Sequence, residues 1–189
     1  MKKEKKFIVC TSINKPTEAI KKFDLMKDWK LIVVGDKKTP KNYNLKNGIY
    51  LSPNKQLKID SKLSDLIGWN CIQRRNFGLI YAWQNKADIV AVVDDDNIPY
   101  KNWGINLLLN KKIKSNFYKV NSIAFDPLSV TNHKNLWHRG FPIQILDKRK
   151  KYKKLKKYIS PDIQADFWNG DPDIDAICRM EHKPNCNFK

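Results

Sequence analysis

Ile89-Val90-Ala91-Val92-Val93-Asp94-Asp95-Asp96 is the stretch on which the fold turns. An unbroken apolar run with three valines and an isoleucine reads as a strand buried on both faces, because a strand with one wet face alternates. It runs straight into three carboxylates, which therefore sit at the strand's carboxyl end. In open α/β sheets ligands bind outside those ends, where loops and helix starts converge.

Working outward, Phe7-Ile8-Val9-Cys10 reads as a first buried strand. Pro16 opens a segment, Thr17 to Lys27, in which Ala19, Ile20, Phe23 and Met26 recur at helical spacing. Trp29 to Val34 is a second strand, ended by Gly35-Asp36, so Asp36 reaches the same rim as the triplet. Gly48 to Leu51 is a weaker strand, and Leu66 to Gln84 reads as one long helix with Arg74 and Arg75 near its middle. Beyond Asn97 the pattern predicts a helix at Trp103 to Leu109 and short strands at Ser122 to Phe125 and Phe141 to Leu146. No repeat, Gly/Ser linker or change of composition divides the chain, so a single α/β domain is expected over residues 1–189.

The 189 residues are 41% apolar and 11% aromatic, enough for a real core and too much for wholesale disorder. Thirty-seven bases against 19 acids give +18, so the molecule must meet anions. Only five of those bases are Arg, and this Lys, Asn and Ile richness follows A/T-rich codons, which weakens the electrostatic inference. Lys148 to Lys157 carries eight bases in ten positions and reads as a solvated loop or helix face, with a dedicated anion site as its alternative and an anionic membrane surface as its candidate partner. No apolar run approaches the ~20 residues that cross a bilayer. Lys2 to Lys6 is not followed by a hydrophobic segment, so a cytoplasmic protein, peripheral at a membrane, is expected. The four cysteines form no Cys-x-x-Cys pair. Cys178-x3-His182-x3-Cys186 lacks a fourth zinc ligand, so free thiols are expected.

Three adjacent carboxylates repel one another, and something positive must lie near them. A hard divalent cation, Mg²⁺ or Mn²⁺, suits oxygen ligands and is held by one or two carboxylates together with substrate phosphates. Strand alternation sends Asp94 and Asp96 to one side and Asp95 to the other. Asp94 and Asp96 are therefore the metal-ligand candidates, with Asp95 anchoring the loop. The plain alternative is an acidic turn that caps the next segment or pairs with surplus lysines.

Arg74-Arg75-Asn76-Phe77-Gly78 followed by Ala87 to Asn97 resembles the donor half of GT-A nucleotide-sugar enzymes. More closely, the chain is similar to the reversibly glycosylated polypeptides (UDP-arabinopyranose mutases) and to STELLO-type glycosyltransferase-like proteins. Trp29 to Pro40, Arg139-Gly140-Phe141-Pro142 and Asp171-Pro172-Asp173-Ile174-Asp175-Ala176 match in the same order. The resemblance implies a GT-A-like, Rossmann-like central mixed sheet flanked by helices, with 1–97 as the nucleotide-binding half and 98–189 as the sugar and acceptor half. Relatives continue past the last motif, so an acceptor region reduced, absent or supplied by another chain is expected.

The same resemblance implies roles. Thr11 and Ser12 would meet the nucleoside, and Asp36 the base or ribose, with a turn role as its alternative. Arg75 would reach a phosphate or the base, with a surface salt bridge as its alternative. Asp94 and Asp95 would face the nucleotide, and Asp94 and Asp96 the metal. Arg139 lies in the segment similar to the one that holds the reversibly glycosylated arginine of the mutases; its general use is to stabilise a departing diphosphate or hold the sugar. Asp173 and Asp175 would supply a catalytic base or a sugar contact, helix capping being the alternative and fitting Asp173 well. Trp168 would offer a platform to a sugar face or belong to the core, and His138 would touch a phosphate.

The resemblance, with the acidic triplet at the strand end, implies a metal-dependent glycosyltransferase with a UDP-sugar donor and a glycan or other acceptor that the sequence does not name. A nucleotide-sugar pyranose/furanose mutase is the near alternative. A basic nucleic-acid-binding module is the alternative from another class, disfavoured because carboxylates rather than bases stand at the presumed ligand rim.

Overall fold

A computed structural model of the chain describes residues 3–188; Lys2, within the basic N-terminal run, lies outside them. The first strand, β1 (Lys6–Thr11), is the axis of a sheet, and its residues Phe7 to Cys10 are all buried. It pairs in parallel with β2 (Lys30–Val34) on one side and β4 (Ile89–Val92) on the other. The short β3 (Ile49–Leu51) pairs in parallel outside β2, giving the order β3-β2-β1-β4. Parallel neighbours require crossovers; the one from β2 to β3 is a loop, and the other two are helical. They are α1 (Glu18–Asp24) between β1 and β2, then α2 (Pro53–Ile59), α3 (Ser61–Ile67) and α4 (Arg75–Gln84) between β3 and β4. A parallel four-stranded sheet flanked by helices is the expected α/β architecture and is consistent with a GT-A-like fold.

Strand alternation divides the apolar residues between the two faces of the sheet. Phe7, Val9, Ile32 and Val34 share one face with Leu51, and Phe77 and Ala82 of α4 close over it. The first three helices start at a side-chain cap. Thr17 accepts the Ile20 N–H at 3.2 Å, Ser52 accepts the Lys55 N–H, and Asp60 accepts the Leu63 N–H at 2.9 Å, which satisfies donors that a helix leaves unpaired. The buried Asp24 carboxylate accepts from the backbone N–H groups of Lys46, Asn47 and Gly48, tying α1 to the loop before β3.

Two expectations for this part of the chain are corrected. The helix read over Leu66 to Gln84 is broken: Gly68 at φ +73° and Asn70 at φ +59° end α3, and a 3-10 turn at Ile72–Arg74 precedes α4. Arg75 therefore begins a helix instead of lying inside one. β4 is an edge strand, not a doubly buried one. Its one strand neighbour among the described residues is β1, which leaves Val90 37% and Val92 49% exposed.

The chain divides into two compact units, Met1–Trp103 and Gly104–Lys189, a few residues beyond the junction read between the two halves. Trp103 is not part of a helix. Its ring packs edge-on against Phe23 at 5.1 Å and tilted against Trp29 at 5.3 Å, and turns replace the helix expected to Leu109. In the second unit β5 (Ile113–Val120) pairs antiparallel with β6 (Tyr152–Ile159) as a two-stranded sheet. Neither strand was expected. The strands read at Ser122 to Phe125 and Phe141 to Leu146 do not form; Ile143–Lys148 is a 3-10 segment following Pro142. Leu128, Leu136, Trp137, Ile174 and Cys178, the last from α5 (Ala176–Glu181), make this unit's core.

Inside that unit Arg149 and Asp126 form an ion pair at 2.9 Å, with side chains 8% and 0% exposed. Arg149 also donates to the carbonyls of Leu136 and Lys134. The basic run was expected to be solvated throughout. Arg149 departs from that because a planar five-donor guanidinium can be satisfied in the interior. Among the described residues no helix is long and apolar enough to cross a membrane.

Candidate functional site

The carboxyl ends of β1 and β2 open onto a cavity of about 290 Å³ whose wall includes Thr11, Ser12, Asp36, Asn70, Arg74 and Asp95. Each side chain has a definite reason to be there. The backbone of Ser12 continues the β1–β2 ladder, its N–H reaching Val34 O at 3.3 Å. Its hydroxyl donates to Asp95 Oδ2 at 2.5 Å, and Asn14 Nδ2 donates to the same oxygen at 3.1 Å. The Thr17 hydroxyl donates to the Asp95 carbonyl. Asp95 thus ties the acidic loop to the segment leaving β1.

Asp94 and Asp96 are both exposed, on the loop whose middle residue is so held. Asp94 Oδ1 accepts from Arg75 Nη2 at 2.5 Å. Asp96 takes no ion pair among the described residues. No group of three or more metal-ligating side chains converges among the described residues.

Asp36 is buried at 6% exposure, and its two oxygens accept the N–H groups of Lys37 at 2.6 Å and Asn70 at 2.8 Å. It pins the turn where α3 gives way to α4, and each oxygen retains a lone pair for a further donor. Arg74 was the residue missed. It is 1% exposed and bonds to Gln56 Oε1 at 2.8 Å and Ser64 Oγ at 3.0 Å, and it lies over the Trp69 ring at 3.7 Å. Its Nη2 has no partner and is buried. Burial pulls its guanidinium below the ordinary value, with Asp36 opposing. The signal for it was the Gly68-Trp69-Asn70 sequence, a turn that ends a helix before the arginine pair. Under the site, burial and then the Asp95 carboxylate push the Cys10 thiol up to about 12.

The second unit holds the remaining candidates. Arg139 Nη2 pairs with Asp173 Oδ2 at 2.7 Å, and the Arg139 N–H reaches the Asp173 carbonyl at 3.3 Å. Asp175, not Asp173, caps α5, accepting from Ile177 N at 2.9 Å and Cys178 N at 3.4 Å. His138 Nδ1 accepts the Gly140 N–H at 3.0 Å, turning the Arg139-Gly140 corner. The half-buried Trp168 donates its indole N–H to the Asp171 carbonyl at 2.8 Å. Cys178 and Cys186 are free thiols within the apolar core, and His182 leans to Glu181 at 3.7 Å.

No protein-family model matches the chain. Two curated proteins of Arabidopsis thaliana are similar to it. "Probable glycosyltransferase STELLO2" is 24% identical over 188 residues, which cover 91% of this chain and 24% of that protein. "Probable glycosyltransferase STELLO1" is 24% identical over 194 residues, covering 94% and 25% respectively. The chain spans about a quarter of the length of these curated relatives. The distant similarity supports a glycosyltransferase-like protein. The likeness to mutases stands on the quoted motifs alone.

Proposed function

We propose that the chain is a metal-dependent glycosyltransferase acting on a nucleoside-diphosphate sugar, with UDP as the nucleotide. One observation carries the reading: a cavity at the carboxyl ends of β1 and β2 has Asp95 in its wall, on the loop that also bears the exposed Asp94 and Asp96. At about 290 Å³ the cavity lies at the small end of the ~300–1,000 Å³ range for ligand pockets, room for a nucleoside whose diphosphate and sugar extend past the rim.

The donor set suits Mg²⁺ or Mn²⁺. Asp94 and Asp96 offer hard oxygens without a third protein ligand, and such ions keep waters and take their remaining ligands from phosphate. When bound, the cation supplies positive charge that stabilises the departing diphosphate. The chain's own residues position the donor. Ser12 and Asn14 hold Asp95 and so fix the loop that carries Asp94 and Asp96. Arg75, anchored on Asp94 through Nη2, has further donors for a diphosphate oxygen. Asp36, Thr11 and Ser12 face the nucleoside. In the second unit Arg139 is held by Asp173 at 2.7 Å. Both carboxylates of the late acidic motif are engaged there, Asp173 by Arg139 and Asp175 by the start of α5.

A mutase reading keeps the same donor site and draws on the Arg139-Gly140-Phe141-Pro142 segment. A guanidinium is charged at accessible pH and is a poor nucleophile, and the Asp173 ion pair supports the electrostatic role instead. The basic run Lys148 to Lys157 supports peripheral attachment to an anionic membrane, a lysine near such a surface contributing ~1 kcal/mol.

The test is calorimetric titration of the full chain with UDP, GDP and CMP, each with and without Mn²⁺, followed by incubation with UDP-sugars. Mn²⁺-dependent UDP binding that is lost in Asp94→Ala with Asp96→Ala is the expected result. A double variant that binds nucleotide with unchanged metal dependence overturns the reading. Ring-form exchange without an acceptor would select the mutase, whereas hydrolysis or transfer selects the transferase.

A further inference from the structure

The β5–β6 ribbon breaks a rule of strand pairing. Opposite charges across an antiparallel pair stabilise it, and like charges directly opposite destabilise it. Here Lys119 stands directly opposite Lys153, and the sixteen residues of the two strands hold six lysines and no acid. Three of the six are quenched by rings: Lys114 lies 5.9 Å from Tyr158, Lys154 6.0 Å from Tyr118, and Lys157 4.3 Å from Phe117. Lys119 and Lys153 have neither a ring nor a carboxylate partner among the described residues. A local rule broken without compensation inside the fold points to a compensating group outside it.

Those two lysines line a cavity of about 680 Å³, together with Lys148, Lys151, Ser122 and Tyr152. No carboxylate lines it. The nearest offset is Asp147, 3.4 Å from Lys151, and both side chains are well exposed. Four ammonium groups meet at one concavity with one acid beside them. We propose that this cavity is a binding site for a ligand bearing two or more adjacent phosphate groups.

Charge and volume set that chemistry. A phosphate monoester carries about −1.5 to −2, so two of them balance four lysines offset by one aspartate, and a single one does not. The volume lies within the ~300–1,000 Å³ of small-molecule sites. Lysine ammoniums act as point charges on phosphate, with the Ser122 and Tyr152 hydroxyls to orient it. A nucleic acid is a poorer occupant, because its bases need free aromatic faces. Here Tyr118 is stacked on Phe125 at 5.7 Å and set edge-on to Tyr152 at 5.2 Å, and Lys154 lies over it.

The experiment titrates the metal-free full chain with inorganic tripolyphosphate and with orthophosphate at one fixed ionic strength. Tripolyphosphate is expected to bind at least about tenfold more tightly. Lys119→Ala with Lys153→Ala is expected to weaken it about tenfold or more while leaving the Tm unchanged or raised, because a repulsive pair is removed. Lys58→Ala with Lys62→Ala removes the same charge elsewhere and is expected to leave binding intact. Should the ribbon variant lose its fold, Lys148→Ala outside the ribbon carries the same test. Vesicles containing phosphatidylinositol bisphosphate, compared with phosphatidylserine vesicles of equal surface charge, separate the sources of the phosphates. Selective retention that tripolyphosphate competes away identifies a lipid headgroup, and selectivity in solution alone identifies a free ligand. Equal affinity for the two anions, equal loss in both charge-matched variants, or a single-stranded oligonucleotide bound more tightly through the same lysines would overturn the proposal.

Discussion

Arg75 Nη2 and Asp94 Oδ1 lie 2.5 Å apart, joining the first residue of α4 to the first carboxylate after β4. The Arg75 Nε is buried without a partner, so this guanidinium is not fully satisfied by the chain alone. Asp94 is shared between Arg75 and any cation that reaches the acidic loop.

Arg75→Ala is expected to weaken UDP binding in the presence of Mn²⁺ by about tenfold to a hundredfold, the worth of one hydrogen bond to a charged group. Binding of Mn²⁺ alone should hold or improve, because a competitor for Asp94 has gone. Calorimetry with each ligand separates these two effects. Weakened Mn²⁺ binding would show that Arg75 organises the carboxylates instead of competing for one.

Arg149→Ala leaves Asp126 buried and uncompensated, which costs about 3–5 kcal/mol. Urea denaturation should show that loss, the largest of any single lysine or arginine removed from residues 148–157. The neighbouring Lys150→Ala should stay within ~0.5 kcal/mol.

Gly78→Ala inverts the usual helix preference. In an open helix interior this change gains roughly 0.5–1 kcal/mol. At this position a Cβ would lie 2.9 Å from Val34 Cγ2 and closer still to Val9 Cγ1, both packed strand side chains. Overpacking of this kind costs about 1–3 kcal/mol, so a lowered Tm is expected, and a raised one would refute the close helix–sheet approach.

Alkaline pH should unfold the first unit earlier than its composition suggests. The Cys10 thiol is pushed up from 9.0 to about 12, chiefly by burial. Between those values the unfolded chain has released a proton that the native state keeps, so the stabilisation is complete below about pH 9 and falls as pH rises toward 12. Cys10→Ala should flatten the decline in urea midpoint between about pH 8 and 11. An unchanged slope would assign the decline to other groups.

Attachment to membranes should follow surface charge. Co-sedimentation with phosphatidylserine vesicles is expected and with neutral phosphatidylcholine vesicles is not. Retention should fall between about 0.1 and 1 M salt as the screening length shrinks from ~10 to ~3 Å. Indifference to anionic lipid would remove the peripheral role.

The first unit was legible because its strands declare themselves. Phe7 to Cys10 and Trp29 to Val34 are apolar runs that a parallel sheet buries, and the loops after them carry the polar residues that line the cavity. The split between the acids, Asp95 inward and Asp94 and Asp96 exposed, follows from alternation. The periodicity of Leu66 to Gln84 hides the helix break, because only one glycine and one asparagine, whose backbones turn left-handed, interrupt it. In the second unit alternation fails as a signal. Along Tyr152 to Ile159 lysines stand on both faces, so no apolar stripe marks the strand, and its pairing with Ile113–Val120 is a long-range event that no local window contains. Arg149 is marked only by being the one arginine of the basic run, and its buried partner Asp126 lies 23 residues away.

The Gly35 and Leu51 carbonyls, the Gln56 amide, the Arg74 guanidinium and the Ser64 hydroxyl form one unbroken chain of hydrogen bonds. Arg74, an inner link of that chain, stands in the wall of the cavity at the ends of β1 and β2, and Gln56 and Ser64 on either side of it belong to the two short helices after β3. A ligand seated against Arg74 is therefore expected to slow deuterium uptake in those two helices, which hydrogen exchange with and without nucleotide would read.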